Sequence, residues 1–315
     1  MARYALVRLL QMVPLLLMVS LLSFGLIKLV PGDPAVVMGG ATATAAEIEA
    51  IRHNLGLDRP LHEQLWDYYR NLARGDLGRS LMLGQPVSDA LLERAPVTFA
   101  VAAYSMVLTL VLGLITGIAA ALRHNRWLDQ FVSFVALLGV SLPNFWLGLM
   151  MIVVFSVYLG WLPTGGYIGP LESPAGFLRT ATLPAVSLAL LQIGLLTRMT
   201  RSAMLEELRQ DYVRTARAKG ASAQAVNYDH ALRNALLPVV TIVGIEAAFL
   251  IGGLIVTETV FNIPGVARFL VEAIRTRDYP IVQNLVMFIA IVVVVVNFCV
   301  DLAYAALDPR IKYAE

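Results

Sequence analysis

The chain has 315 residues, of which 58% are hydrophobic and only 15% are charged, and its mean hydropathy is +0.72. A soluble globular chain is about 45–50% apolar and about 25% charged, so the composition excludes an ordinary water-soluble fold. The formal net charge of +2 does not point to a polyanionic partner. The single cysteine, Cys299, can form neither an internal disulfide nor a cysteine-rich metal site.

Six apolar runs are long enough to cross a bilayer core of about 30 Å as helices. In chain order they cover residues 9–30, 96–122, 132–161, 180–197, 237–256 and 281–304. The first is longer than the core of a signal peptide, so we expect an uncleaved anchor. The fourth is the weakest, because Pro184 and Gln192 interrupt it, and Pro143 predicts a kink in the third. A GxxxG pattern at Gly113 and Gly117 favours close helix approach. The predicted fold class is an all-α integral membrane protein with six transmembrane helices.

Positively charged residues are concentrated on one side of the membrane. Six spans place both termini on the same side, which carries 13 Lys and Arg with 7 Asp and Glu, against 11 and 13 on the other side. The positive-inside rule assigns the first side to the cytoplasm, so both termini are predicted to be cytoplasmic. These basic residues serve as topology anchors next to membrane lipid and lack an aromatic stacking platform, so we expect no nucleic-acid partner.

Two hydrophilic segments are too long to be simple connectors. The first follows span one, is predicted to be extracytoplasmic, and shows helical patterns at 45–55 and 61–72. The second, about 199–236, is predicted to be cytoplasmic. We divide the chain into a first transmembrane helix with the outer segment, a five-helix core with the cytoplasmic loop, and a cytoplasmic tail: residues 1–95, 96–306 and 307–315.

The cytoplasmic loop contains a short helix-forming sequence. The residues from Asp211 to Lys219 are rich in Ala and Arg, and Gly220 follows a cationic last turn, which predicts the end of a helix there. Such a helix is either a solvated connector or a docking helix that inserts into a groove of a partner protein.

The motifs of several enzyme classes are absent. No GxxxxGK[ST] sequence occurs, so the chain does not bind ATP through a P-loop. His62 and Glu63 begin an HExxH pattern that Trp66 breaks, and no GxSxG nucleophile motif is present. We therefore expect a protein that is not an enzyme, with no catalytic residue, no metal site and no bound cofactor.

Polar residues within the apolar runs are candidates for a translocation path. An ionisable group at membrane depth is costly and commonly functional. Glu246, about ten residues into span five, either lines an aqueous path or pairs with a neighbouring helix. Asn144 and Gln192 are further candidates, whereas Asp301 lies near the end of span six, where it can reach lipid headgroups.

The cytoplasmic loop resembles the EAA loop of permease subunits in binding-protein-dependent ABC importers. Its sequence is RTARAKG followed by RNALLP, at 214–220 and 233–238. Arg214 and Thr215 replace the first two residues of the general motif, while Gly220 keeps its place. The sequence of this loop, together with further motifs along the chain, resembles that of the B-type permease in the dipeptide, oligopeptide and nickel branch of the family. These motifs are LVPGDP at 29–34, LGLDRPL at 55–61, GDLGRS at 75–80, TETVFNIPG at 257–265 and LDPR at 307–310.

The resemblance implies the fold of a type I ABC importer transmembrane domain in the bacterial inner membrane. It implies a heterodimer with a second permease, two cytoplasmic ATPase subunits that carry ATP and Mg, and an extracytoplasmic solute-binding protein. The loop helix would couple the ATPases to the spans, through Tyr212, Arg214, Thr215, Ala216, Arg217, Ala218, Lys219 and Gly220.

The outer segment would receive the binding protein, with Arg79, Ser80 and Gln85 as candidate contacts, or would only form a lip that seals the outer gate. The implied substrates are di- or oligopeptides, with glutathione and nickel chelates as alternatives. A stand-alone secondary transporter or channel is the competing prediction from a different class, and it would transport without ATPase subunits.

Overall fold

The computed structural model describes residues 2–29, 33–40 and 42–307, and side chains within 7–25, 33–40 and 42–302. These residues form twelve α-helices and two π-helical segments, and they contain one isolated antiparallel bridge, between Arg79 and Pro86. The α-helices are α1 Ala2–Leu29, α2 Pro34–Gly39, α3 Ala45–Asn54, α4 Leu61–Ala73, α5 Val87–Leu122, α6 Trp127–Ser141, α7 Asn144–Met151, α8 Pro174–Glu207, α9 Asp211–Ala218, α10 Arg233–Val260, α11 Val266–Thr276 and α12 Tyr279–Leu307; the π-helical segments are Ile152–Tyr158 and Ala225–Leu232.

Five continuous helical stretches are long and apolar enough to cross a membrane. They are Val7–Gly25, Val87–Leu122, Pro174–Glu207, Ala225–Val260 and Tyr279–Leu302. A sixth span is obtained when α6 and the stretch Asn144–Tyr158 are taken together. The all-α membrane fold is therefore confirmed. Residues 30–32 of the LVPGDP motif and the predicted tail after Leu307 lie outside the described residues.

The third span departs from the prediction of one kinked helix. The chain leaves the helical conformation at Leu142 and Pro143, and the helices on either side differ in direction by 107°. Proline disfavours the α conformation in the residue before it and offers no N–H to the helix, so Leu142 adopts extended backbone angles and α6 ends. By contrast, Pro184 does not break the fourth span, which is one helix of 34 residues.

The chain divides into two compact units, each built from separate stretches of sequence. The first comprises residues 99–263 together with the chain from Val295 onwards and the first residues of α1. The second comprises residues 7–98 and 264–294.

Helix α8 is the central helix of the first unit, and glycines let its neighbours approach closely. A Cβ atom on Gly117 of α5 would lie 2.8 Å from the carbonyl oxygen of Thr197, and one on Gly139 of α6 would lie 2.8 Å from that of Leu190. Real Cβ atoms do not approach so closely, so larger residues would force these helices apart. The GxxxG pattern in α5 therefore marks a real helix contact.

The second unit has its own apolar core. It is formed by the start of α5, one face of α11 and the start of α12, with Val87, Phe269 and Leu285 among its buried members.

Helix α3 begins with a capping box, in which Thr44 and Glu47 each accept a hydrogen bond from the other's backbone N–H. The helices predicted at 45–55 and 61–72 are confirmed as α3 and α4.

Candidate functional site

Helix α9, between α8 and α10, is the short helix predicted from the loop sequence. Asp211 lies in its first turn and Arg217 in its last, which suits the helix dipole. After Lys219 the chain takes a left-handed conformation at Gly220, with φ of 85°. The N–H groups of Gly220 and Ala221 donate to the carbonyl oxygens of Arg217 and Ala216, at 3.0 and 3.1 Å. This is a Schellman motif, and it explains why glycine occupies position 220.

One face of α9 packs against its own chain. Val213 is fully buried, in a cluster with Met204 of α8, Val226 of the π-helical segment and Ala235 of α10. Ala216, one turn further along, is half-buried against the same cluster. The cluster fixes α9 to the helices before and after it in sequence.

The opposite face of α9 is exposed. Among the residues predicted to couple to an ATPase, all except Ala216 are exposed: Tyr212, Arg214, Thr215, Arg217, Ala218, Lys219 and Gly220. The helix thus presents a basic surface with a small residue, Ala218, and is held from behind by a rigid apolar cluster. That geometry suits a docking helix, which must transmit a displacement instead of yielding to it.

Tyr212 adds a polar connection between three helices. Its hydroxyl donates to the Glu207 carboxylate at 2.5 Å and accepts from the Asn234 amide at 2.9 Å. Although much of the Tyr212 side chain is exposed, partial desolvation and the bond to Glu207 raise its pKa above the usual value, so the phenol stays protonated at neutral pH. The end of α8, the start of α9 and the start of α10 are therefore joined through one side chain.

Sequence analysis missed a second connection, an ion pair between α6 and α8. Arg201 donates to both carboxylate oxygens of Asp129, at 2.5 and 2.8 Å, and the Asn125 N–H donates to the same carboxylate at 2.9 Å. The Asp129 side chain is 4% exposed and that of Arg201 is 25% exposed. His124 lies 3.2 Å from both partners. The sequence offered one indication of this ion pair: Asp129 lies just before the third apolar run, and Arg201 lies just after the fourth.

The three candidates for a translocation path lie near α10. Gln192 is buried, donates to the Glu246 carbonyl oxygen at 3.1 Å and accepts from Thr109 at 3.5 Å. Asn144 is half-buried and donates to Thr257 at 3.3 Å. Glu246 is 3% exposed, and its carboxylate has no hydrogen-bond partner in the described part of the chain. Their role in transport stays a prediction.

The three candidate contacts for a binding protein lie in one tight loop. Arg79 is exposed and donates to the Gly84 carbonyl oxygen at 2.7 Å, and Gln85 is half-buried. Ser80 is buried, and its hydroxyl donates to the Asp278 carboxylate at 2.5 Å. Arg79 and Gln85 are therefore accessible at this loop, whereas Ser80 holds it in place.

Two family profiles cover most of the chain. The profile of the binding-protein-dependent transport system inner membrane component matches residues 110–313, and the N-terminal profile of the same components matches residues 1–102. The chain belongs to this family. It is thus an inner-membrane component of a binding-protein-dependent transport system, as the sequence motifs predicted.

Relatives match over their full length. A Brucella abortus protein that carries the name of a peptide transport system permease is 48% identical over 97% of this chain and 98% of its own. A glutathione transport system permease of Escherichia coli is 42% identical over 99% of this chain and all of its own. A di/tripeptide transport system permease of Pseudomonas aeruginosa is 42% identical over 96% of each chain.

A solved structure supports the fold. The inward-facing MetNI methionine ABC transporter covers 70% of this chain and 96% of its own, with a TM-score of 0.58 and 20% identity. At this identity the likeness shows the fold alone, which is that of an ABC importer transmembrane domain.

Proposed function

We propose that this chain is a permease subunit of an ATP-driven importer that carries di- or oligopeptides across the bacterial inner membrane. The observation that carries the coupling part of the proposal is α9, with an exposed basic face over a buried apolar anchor at Val213. The substrate class rests on the names of relatives that are 42–48% identical along nearly the whole chain.

The proposal requires partners on both sides of the membrane. Two ATPase subunits with ATP and Mg would dock on α9 from the cytoplasm, and a second permease would complete the pathway. A solute-binding protein would deliver the peptide from outside, with the loop around Arg79 and Gln85 as its contact. Family membership supports the binding protein, and the absence of a P-loop sequence in this chain fits energy supplied by another subunit.

The coupling would proceed through packed contacts. Closure of the ATPases on ATP displaces α9, and the Val213 cluster and the Tyr212 hydrogen bonds carry that displacement to α8 and α10. The Asp129–Arg201 ion pair carries it from α8 to α6. Switching between inward- and outward-facing states then needs no chemistry on this chain.

A test at Ala218 separates docking from folding. Ala218 is exposed, so Ala218→Tyr leaves the Val213 cluster intact while filling the surface that a partner must approach. We expect ATP-dependent peptide uptake in proteoliposomes to fall at least tenfold, with the variant still inserted in the membrane. The matched control is Ala223→Tyr, at an exposed alanine beyond the helix, which should retain uptake. Normal uptake by Ala218→Tyr would refute the docking role.

Reconstitution also distinguishes the competing functions. Uptake that persists without ATPase subunits, driven by an ion gradient, would support a secondary transporter and refute the importer. Glutathione is a second candidate substrate because a 42% identical relative is a glutathione permease. Competition of labelled dipeptide uptake by glutathione and by nickel chelates, with each candidate binding protein in turn, decides among the substrates.

Glu246 is proposed to act during the switch. It is buried, and both carboxylate oxygens lack a partner among the described residues, which is a costly arrangement inside a membrane helix. We expect Glu246→Gln to alter uptake of peptides with cationic side chains more than uptake of neutral peptides. Gln192→Leu, next to it, should reduce uptake of both classes equally. Unchanged uptake of every class by Glu246→Gln would refute a role in the path.

A further inference from the structure

A cavity of about 390 Å³ lies within the second unit. It is open on one side and is bordered by α4, by the turns on either side of α4, and by the start of α12. Its volume falls within the range of pockets that bind small molecules, which is about 300–1,000 Å³.

Five carboxamide side chains line the cavity, those of Asn54, Gln64, Asn71, Gln283 and Asn284. Asn54 and Asn71 are exposed to solvent and make no side-chain hydrogen bond among the described residues, so both can bond to a ligand. Asn284, also in the lining, donates to the carbonyl oxygens of Leu77 and Pro280, both at 2.8 Å, and so holds the wall in shape.

Two further polar groups line the cavity and contact each other. The Tyr68 hydroxyl and the Gln283 amide nitrogen are shielded from solvent, their mutual contact falls short of hydrogen-bond geometry, and neither has another partner among the described residues. Burial raises the pKa of Tyr68, which keeps its hydroxyl as a donor at neutral pH. Buried polar groups are nearly always well hydrogen-bonded in folded proteins, so two donors whose best contact is each other favour a polar occupant at this wall.

The charges of the lining select among polar occupants. Arg59 and Asp67 pair with each other at 3.2 Å. Asp76, at the exposed rim, accepts from the Gly78 N–H at 2.8 Å and has no cationic partner among the described side chains. The lining therefore carries one uncompensated negative charge beside free amide donors and acceptors.

We propose that this cavity is a peptide-binding site on the permease itself, separate from the binding protein. The free α-amino group of a short peptide would pair with Asp76, and its peptide groups would bond to Asn71 and Gln283. A peptide backbone offers both donors and acceptors, which is what carboxamides satisfy. The ligand class rests on the proposed function, whereas the location rests on the cavity alone.

The test is binding to the transporter without its binding protein. The probes are dialanine and N-acetyl-dialanine, titrated by calorimetry into the transporter purified with its partner subunits in lipid nanodiscs. We expect saturable binding of dialanine and at least tenfold weaker binding of the acetylated peptide, because acetylation removes the charge that Asp76 recognises. Asp76→Asn keeps the acceptor for Gly78 and should abolish this difference.

Neighbouring residues on α4 provide a matched pair of variants. Asn71→Leu removes a lining amide and should weaken dialanine binding at least tenfold, whereas Arg70→Leu, at an exposed position outside the lining, should leave it unchanged. A variant that is partly unfolded loses binding of dialanine and of N-acetyl-dialanine alike, so the ratio of the two affinities reports on the site and not on the amount of folded protein. The proposal is overturned if dialanine does not bind, or if Asn71→Leu and Asp76→Asn bind both peptides as the unchanged protein does.

The result that would refute the proposed function differs from the result that would refute the cavity proposal. If the complete transporter with its binding protein shows no ATP-dependent dipeptide uptake, the importer reading is wrong, whatever the titration shows. If uptake is normal and the titration shows no site, only the cavity proposal is lost.

Discussion

The buried carboxylate of Asp278 anchors the loop between α4 and α5, and its hydrogen bonds let us predict how much stability the anchor contributes. Its oxygens accept from the Ser80 hydroxyl at 2.5 Å and from the N–H groups of Leu81 and Met82, both at 3.2 Å. Asp278 is 1% exposed, so water cannot replace these bonds. The Ser80 oxygen in turn accepts from the Leu83 N–H at 2.8 Å. One side chain thus holds a loop that lies about 200 residues away in sequence.

The magnitude follows from the bonds that each substitution removes. A hydrogen bond to a charged group contributes roughly 1.5–3 kcal/mol. Asp278→Asn replaces one accepting oxygen by a donor and weakens the remaining bonds, so we expect a loss of about 3 kcal/mol in the free energy of unfolding. Ser80→Ala removes two bonds and should cost about 2–3 kcal/mol. Because the two residues share a bond, the double variant should lose about 1.5–3 kcal/mol less than the sum of the single losses.

The assays are denaturant unfolding of the purified protein and limited proteolysis of the loop. Release of the loop should raise the rate of cleavage near the exposed residues Met82 and Leu83 in both single variants. Ser88→Ala is the control and should change neither measurement. Within the described part of the chain, the Ser88 hydroxyl bonds only to its exposed neighbour Asp89, at 3.2 Å. Additive losses, or an unchanged cleavage rate, would refute the assignment of Asp278 as the anchor of this loop.

Three further predictions concern other contacts. At Gly220, valine should abolish ATP-dependent uptake whereas asparagine should retain most of it, because φ of 85° is strained for a β-branched residue and tolerated by asparagine. Arg201→Met should destabilise the protein by about 3–5 kcal/mol in denaturant unfolding, since it leaves the Asp129 carboxylate buried without its cation, and Asp129→Leu added to it should restore part of the loss. Arg52 lowers the pKa of Asp33, so this ion pair stabilises the folded state above about pH 4 and loses its effect as the pH falls through the pKa of Asp33 in the folded protein. Asp33→Asn should therefore lower the free energy of unfolding by less than about 1 kcal/mol at pH 7, and by less still near pH 3. Thermal unfolding at the two pH values measures both losses.

The sequence predicted features that depend on neighbouring residues. The end of α9 at Gly220, the helices α3 and α4, and the apolar runs all arise from local patterns of composition, caps and turns. At Pro143 the sequence predicted only a kink, whereas the helices on either side differ in direction by 107°. A proline predicts that a helix is disturbed, but the packing of the flanking helices decides how far the chain turns.

Contacts between distant parts of the chain could not be predicted in the same way. Nothing near Ser80 in sequence indicates that its hydroxyl meets Asp278, and nothing near Asp129 selects Arg201 from the many arginines. Such contacts depend on which helices become neighbours, a property of the whole fold. The buried side of α9 is a further example, because Val213 is covered by segments on both sides of the loop.

The contacts of the first unit indicate where a displacement of α9 would be absorbed. Helix α9 is fixed to α8 and α10 through Val213 and Tyr212, and α8 is fixed to α6 by the Asp129–Arg201 pair and by glycine contacts along the helix crossing. Closely packed helices move together and do not bend continuously. The last helical hydrogen bond of α6 runs from the Leu142 N–H to Leu138, and the first of α7 runs from the Leu147 N–H to Pro143. The backbone between these two bonds can rotate without breaking either of them. Both α6 and α7 pack against α8, and Asn144 ties α7 to Thr257 of α10. On the proposed function, the break in the third span is therefore where the angle between α6 and α7 can change as α8 and α10 move, and a Pro143→Ala variant that stiffens the break should slow uptake while leaving ATPase docking intact.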